Sequence, residues 1–595
     1  MKRVTNALIL LTSVALLTGC ANNGKGLFKE VAPKANSTDS FTITTDLSNA
    51  FEIHTDRQKE YLSYDGDYVS IPEENYPDGT KHLSDPNPVK LEWNFAVPSG
   101  KTLSGYDVVI GKQSDLADGY VVKGTTESSL DIYNSYLGTN YFKVVANYSD
   151  GSSDASTIKS YEVENVYPRN LKIEGMTNCR DMGGGRELVD GGYIKQGMIY
   201  RTSSTSSWAY GRGDVPDTIT TAGKDVLFNQ LGCVTEVNVN NSGSSVQGIE
   251  KYVEAYMWYD SGKHHLYRNA EPIKTVFHAL ADESNYPLFY HCRIGTDRTG
   301  LCAILISGLL GVPENLIYQD YLFSNFGNIQ EKRYIGEKAG RDNILNYIND
   351  LKAFPGEKFH NKVYNYLLSI GIPAEELNSI IDILTEGEKA SGNDNYQELI
   401  LAEDMTGDGC EMQSSSTRAN PVKYFTLGTD QSVTAEFNAK YSGEAYLVAY
   451  LGSTENSDKR IAASIEATLD GYDVEVDPEI TFADCGFGKG DNRTYYSAVV
   501  LGLCDVEEGS SEVVITGLNN NLNIGAISII PKDKVKNNEP EVEPQPDVQP
   551  DTPVITKKGC NGSILAVSSL VSLIGIAGVT VITIKRKKRR LINMY

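Results

Sequence analysis

Residues 291–300 read His-Cys-Arg-Ile-Gly-Thr-Asp-Arg-Thr-Gly and follow the apolar run Pro-Leu-Phe-Tyr. A cysteine ending a short apolar strand, five loop residues, an arginine and then a helix start make an anion cradle. Backbone N–H groups from Arg293 to Arg298 can converge on a tetrahedral oxyanion, and the helix N-terminus adds the positive end of its dipole. Arg293, Ile294, Gly295 and Thr296 are therefore candidate binding residues, with Gly295 allowing the tight turn. Arg298 offers a planar fork that grips two phosphoryl oxygens at once, which a lysine point charge does not. The same donors favour the thiolate of Cys292, so one loop both makes a nucleophile and holds its target. Thr299 can donate to the sulfur as it departs, and His291 can brace the loop through backbone contacts.

His-Cys-x5-Arg-Thr-Gly resembles the active-site loop of the cysteine-dependent protein tyrosine phosphatases. A second stretch, residues 177–203 (TNCRDMGGGRELVDGGYIKQGMIYRTS), resembles the Asn-x-Arg-Asp-Leu-Gly-Gly opening of the bacterial members, with Tyr200-Arg201-Thr202-Ser203 matching their later Tyr-Arg-Ser. The stretches QDYLFSN and YLLSIGIPAEEL are also similar to that family, so the resemblance covers roughly residues 165–388. It implies a phosphocysteine mechanism with no cofactor and no metal. It also implies that Asn178, Arg180 and Asp181 order the wall beside the pocket, with Arg180 and Asp181 in reach of substrate. The proton donor stays open between Asp297, inside the loop, and Asp260, where classical members carry a mobile acid; Asp181 stands behind them. Two positions depart from the family pattern. Asn238-Val239-Asn240 replaces Asp-Leu-Arg, removing a charge pair that supports the loop, and Thr296 replaces a lysine tied to phosphoinositide or dual substrates, with Arg293 able to supply part of that charge. His264 and His265 lack companion ligands at metal spacing and are expected as solvated loop residues.

The elements that must position this chemistry follow from patterning. GCVTEVNV and PLFYHC are strand candidates, while GLCAILISGLLG, PENLIYQDYLFSN, KVYNYLLSIG and PAEELNSIIDILTEG have helical periodicity, so 166–390 is expected as the α/β catalytic domain. Upstream, 86–165 alternates in short strands around Trp93 and resembles a fibronectin type III sandwich with a tyrosine corner at Tyr141. Residues 21–85 are expected as a tether followed by irregular or strand structure. Downstream, 398–533 returns to strands and resembles a galactose-binding, carbohydrate-binding-like jelly roll. Cys485 and Cys504 could form a bridge that spacing alone does not fix.

Both ends read as targeting segments. Residues 1–20 carry a basic start, an apolar stretch and Leu-Thr-Gly-Cys, resembling a bacterial lipoprotein signal with Cys20 as the lipidated residue. Residues 563–584 are uncharged; at about 1.5 Å per residue a helix of that length spans a bilayer. The basic tail 585–595 places the C-terminus in the cytoplasm and the rest outside, with 534–558 as a Pro/acidic linker. A formal net charge of -24 disfavours nucleic acid as partner. The expected molecule is multidomain: a central α/β tyrosine-phosphatase-like domain, an N-terminal β-sandwich, a C-terminal jelly roll and a C-terminal transmembrane helix. Its expected function is a cell-surface phosphatase acting on phosphomonoesters, phosphotyrosyl protein first and phosphoinositide or inositol phosphate as the alternative, with a glycan as partner of the C-terminal domain. A surface adhesin whose phosphatase-like domain only binds is the competing class.

Overall fold

The computed structural model describes residues 36–37 and 40–532, apart from 207–217, 259–265, 267–268, 337, 340–343, 353, 355–357, 388–397, 415–422, 456, 488–496 and 520–521. The expected signal with Cys20, the linker, the 563–584 span, the basic tail, Asp260, His264 and His265 lie outside the described residues. Among the described residues no helix is long and apolar enough to cross a membrane.

Strand β1 (Phe41–Ile43) and helix α1 (Asp56–Leu62) precede β2 (Val89–Phe95), β3 (Leu103–Gly111), β4 (Tyr120–Thr125), β5 (Ser129–Ile132), β6 (Gly138–Tyr148), β7 (Ser153–Ala155) and β8 (Lys159–Val163). β1, β2 and β5 form one sheet; β3, β4, β6, β7 and β8 belong to the other. Val89, Leu91 and Trp93 are buried while Lys90 and Asn94 are exposed, the period of two that turns one strand face inward. They meet Tyr106, Val108, Phe142 and Val144 across the sandwich. Tyr141, expected to mark the tyrosine corner, instead packs with Val109, Val121 and Val145 on the sheet's other face.

Of the expected tether followed by irregular or strand structure, the part described from residue 40 onward holds a short strand and short helical turns that pack into a core. Thr55 caps α1 by a reciprocal capping box with Gln58, and Tyr61, Tyr68, Ile71 and Tyr76 are buried in the core of the α/β half. Their tyrosines follow neither helical nor strand periodicity, because short turns rather than one long element carry them.

The α/β half is built on a five-stranded sheet with order β9 (Arg180–Asp181), β10 (Ile199–Thr202), β13 (Leu288–His291), β11 (Thr235–Asn238), β12 (Lys251–Glu254). It is parallel except for β9 at the edge. All four residues of central β13 are buried, as expected for a parallel strand covered on both faces. Helices α2 (Ala270–Leu280), α3 (Asp297–Leu310), α4 (Glu314–Phe323), α5 (Ile344–Lys352), α6 (Phe359–Ser369) and α7 (Ala374–Leu384) follow. Every residue of α3 from Thr299 to Leu310 is buried, so this helix is the axis of the domain. Gly311, left-handed at φ 85°, ends it.

The C-terminal β region pairs a seven-stranded sheet, containing β14 (Gly443–Ser453) and β16 (Leu522–Pro531), with a five-stranded sheet around β15 (Gly509–Gly517). Leu447, Ala449, Leu451, Ile527 and Ile529 face the interior between the sheets. The alternate residues Val448, Tyr450, Ala526 and Ile530 join the α/β core instead, with the Tyr450 ring 6.2 Å from that of Phe354. This two-sided burial explains why AYLVAYLG and GAISII read as unbroken apolar runs. The Cys485 and Cys504 thiols, whose bridging the spacing left open, are free. Cys504 pairs with Ala445, whereas the strand after Cys485 pairs with Gly452, roughly 20 Å along β14 at about 3.3 Å per residue; a disulfide needs Cα atoms within about 7 Å. All the described residues fall in one compact unit, 1–537.

Candidate active site

β13 delivers His291 and Cys292 to the edge of the sheet, and α3 leaves from Asp297 after Thr296 at its N-cap. Between them the loop carbonyls are pulled outward. Ser204 N donates to Arg293 O at 2.9 Å. Asn178 Nδ2 donates to Ile294 O at 3.3 Å and Gly295 O at 2.9 Å, and Arg201 Nη2 also donates to Gly295 O at 2.9 Å. Each carbonyl opposes the next N–H in its peptide plane, so the N–H groups of Ile294, Gly295 and Thr296 turn to the concave side. Gly295 has φ 73°, and a Cβ there would lie 2.6 Å from Thr202 O, so only glycine fits the turn.

Cys292 is buried, and its N–H donates to Thr299 Oγ1 at 2.7 Å, which leaves the threonine hydrogen to donate elsewhere. His291 is fixed from behind between Glu236 (Nε2 to Oε1 2.9 Å) and the Cys292 carbonyl (Nδ1 to O 3.0 Å). Arg298 remains partly exposed at the rim, its Nη1 donating to Asn241 Oδ1 at 3.3 Å. Burial and the neighbouring Arg298 guanidinium push Arg293 below the ordinary arginine value, so two cations share this rim. Behind Asn241 the departure Asn238-Val239-Asn240 makes its own bracing. Asn240 N donates to Asn238 Oδ1 at 2.8 Å, and Asn238 Nδ2 to Tyr252 Oη at 2.9 Å, so amide hydrogen bonds brace this loop in place of the charge pair whose loss the sequence indicated.

Two expected substrate contacts are corrected. Arg180 is fully buried; its Nε donates to Asp320 Oδ1 at 2.7 Å and its Nη1 to Asn178 Oδ1. Asp181 is fully buried as well, paired with Arg169 at 2.8 Å and accepting from Gly183 N and Gly197 N at 2.9 and 2.7 Å. Both sit behind the wall, where neither meets substrate and Asp181 cannot serve as proton donor. Asp297 is at the mouth, with both oxygens gripped by Arg333 (Nε to Oδ1 2.9 Å, Nη2 to Oδ2 3.0 Å), so donation to a leaving group requires one of them to be released. Asp260, the other candidate donor, is among the residues not described.

Sequence reasoning missed Asp320, Glu236, Asn241 and Arg333 as parts of the site. Asp320 ties Arg180 to Arg201, the two arginines whose arms converge on the Gly295 carbonyl, one directly and one through Asn178. QDYLFSN contained Asp320, but only its place on a helix facing β9 and β10 would have singled it out. Among the described residues no group of three His, Cys, Asp or Glu side chains is placed to hold a metal ion.

Residues 234–467, less than half of the chain, match the model of a family described as the tyrosine phosphatase family. That stretch holds the Cys292 loop but not residues 177–203. No curated protein matches the chain. Among solved structures, the chain is similar to a family 35 carbohydrate-binding module from Clostridium thermocellum (14% identity, 22% of this chain and 97% of that one, TM-score 0.18). It is also similar to a Podospora anserina GH26-CBM35 β-(1,4)-mannanase (18%, 24% and 29%, TM-score 0.18), less than a third of whose length it spans. A third is the core catalytic domain of the PP-IP phosphatase SIW14 from S. cerevisiae in complex with citrate (17%, 22% and 71%, TM-score 0.17). The chain thus combines several β-sheets with a tyrosine-phosphatase-like domain.

Proposed function

We propose that this domain hydrolyses phosphomonoesters through a phosphocysteine at Cys292. The observation that carries the reading is the set of outward-held carbonyls at Arg293, Ile294 and Gly295, which turns successive N–H groups toward one oxyanion site beside the thiol. The thiolate attacks phosphorus, the bond to the ester oxygen breaks, and that oxygen takes a proton from an aspartic acid, Asp297 or Asp260. Water then attacks phosphorus, the S–P bond breaks, the aspartate recovers a proton from the water, and inorganic phosphate leaves. Thr299 donates to the departing sulfur and Arg298 grips the equatorial oxygens.

Phosphotyrosyl protein is the first substrate class, supported by the match of residues 234–467, which hold the Cys292 loop, to the tyrosine phosphatase family. The second reading, an inositol phosphate or phosphoinositide, is favoured by Arg293 beside Arg298: two cations at one rim suit a ligand with more than one phosphate. The two terminal segments support a cell-surface location in a bacterium, lipid-linked at Cys20 and anchored by 563–584. The β-rich flanks support fibronectin-like and glycan-binding roles. A purely adhesive protein is the competing class.

The deciding experiment is p-nitrophenyl phosphate hydrolysis by the full chain, with EDTA and with Cys292→Ser and Arg298→Lys. Turnover should survive EDTA and vanish in both variants, since serine does not ionise in the cradle and lysine loses the bidentate grip. Loss with EDTA that Zn²⁺ restores would overturn the mechanism, and an inactive wild-type chain would favour the adhesin. The ratio of kcat/KM for a phosphotyrosyl peptide over inositol hexakisphosphate then assigns the substrate class.

A further inference from the structure

Residues 73–85, a strap between strands β1 and β2 of the β-sandwich, lie along two walls of the catalytic site. On one side, Lys332 Nζ donates to Glu73 O and Tyr76 O at 2.6 and 3.2 Å, Ile329 N to Gly79 O at 2.8 Å, and Leu83 N to Phe326 O at 2.6 Å. A Cβ on Gly79 would stand 2.7 Å from Glu331 O, so the two backbones run in close contact. This wall ends in Arg333, which grips Asp297. On the other side, His82 Nδ1 lies 2.9 Å from Thr177 Oγ1 and its Nε2 lies 2.7 Å from Asp85 Oδ1, while Asn178 N donates to the buried Ser84 Oγ at 3.3 Å.

Asn178 holds the Ile294 and Gly295 carbonyls outward, and its backbone is left-handed at φ 56°. Such a conformation in a non-glycine residue persists only where its surroundings over-determine it. Ser203 supplies part of that restraint: its Oγ accepts from Thr177 N at 2.9 Å, and its N donates to Thr177 O at 3.0 Å. Arg180 Nη1, donating to Asn178 O at 3.4 Å, supplies another part, and the strap adds Ser84 and His82. Asp85, His82 and Thr177 also line up as an acid, a base and a hydroxyl, but the Thr177 hydroxyl is fully buried and accepts from Asn328 N at 3.2 Å, so no substrate reaches it.

We propose that His82, oriented by Asp85, and Ser84 are positioning residues of the phosphate loop, holding the Thr177–Asn178 turn in the shape that presents the loop N–H groups to substrate. The N-terminal strap is then part of the catalytic apparatus, and a fragment beginning at residue 166 lacks it. The inference rests on Cys292 as nucleophile.

The test uses the full chain with His82→Ala, Ser84→Ala and His82→Asn. The asparagine keeps a polar atom where Nδ1 stood, so it separates loss of the hydrogen bond from loss of the ring. Two quantities are read: steady-state constants on p-nitrophenyl phosphate, and hydrogen exchange of the loop amides 293–298 against those of β6. Each alanine variant should lower kcat up to about tenfold with a smaller change in KM, and speed loop exchange by a similar factor while β6 is unchanged. His82→Asn should recover most of both. Alanine variants with wild-type kcat and loop exchange, or an asparagine variant as impaired as alanine, would overturn the strap's role. If the wild-type chain does not turn over, the proposed function fails, and loop exchange alone decides the strap.

Discussion

Cys292 depends on charges that never meet its substrate. Burial alone would raise the Asp320 carboxyl, but the Arg180 and Arg201 guanidiniums outweigh it and hold the group well below the ordinary 3.8. A depressed folded-state value means stability that is fully present above the unfolded value and lost as pH falls through the folded one. Asp320→Asn should therefore cost about 3–5 kcal/mol near neutrality, where it strands two buried arginines, and progressively less below about pH 4. Urea unfolding of both forms across pH 3–8 checks this, and a penalty that stays constant to pH 3 refutes it. The cradle residues were legible because they are neighbours in the chain and their chemistry is local. Asp320 was not, because it lies 140 residues from Arg180 and nothing in either segment announces the partner. Arg180 and Asp181 were assigned to substrate for the same reason: their type and motif were visible, but the direction in which β9 faces them was not.

At the scale of elements, β13, the loop and α3 were readable from one apolar run, a glycine and a helical run, since each step follows from period and turn chemistry. The proton donor belongs to this scale, because the candidates ride on different pieces of chain. Asp297 is on the first turn of α3 and clamped by Arg333 from the segment after α4. Asp260 precedes α2. If Asp297 donates the proton, Asp297→Asn should slow release of an alkyl alcohol strongly while sparing p-nitrophenolate, which hardly needs protonation, and Asp260→Asn should be mild. Pre-steady-state rates on the two ester types measure it. The leaving-group effect appearing only in Asp260→Asn would move the role to that residue.

Across the whole molecule, the three β and α/β regions were legible as separate patterns, but the way they share interior was not. Tyr61, Tyr68 and Tyr76 of the segment between β1 and β2, and the outer faces of β14 and β16, are buried in the core of the α/β half, so the described head should behave as one cooperative body. Protease added to intact cells should release it as a single fragment of about 40–532 while leaving a tag after Tyr595 intact. Early appearance of a stable sandwich or jelly roll alone would show that the shared core does not hold them, and protection of the whole head would contradict an exterior location.

Helix α1 also constrains the order of events at the ribosome. Tyr61 Oη donates to Gln319 O across 258 residues of chain. At about 5–20 residues per second Tyr61 waits roughly 13–50 s before its partner helix is made. During that interval Tyr61 lacks the helix its hydroxyl meets in the fold, so an early-made segment of this protein is among the last to find its place.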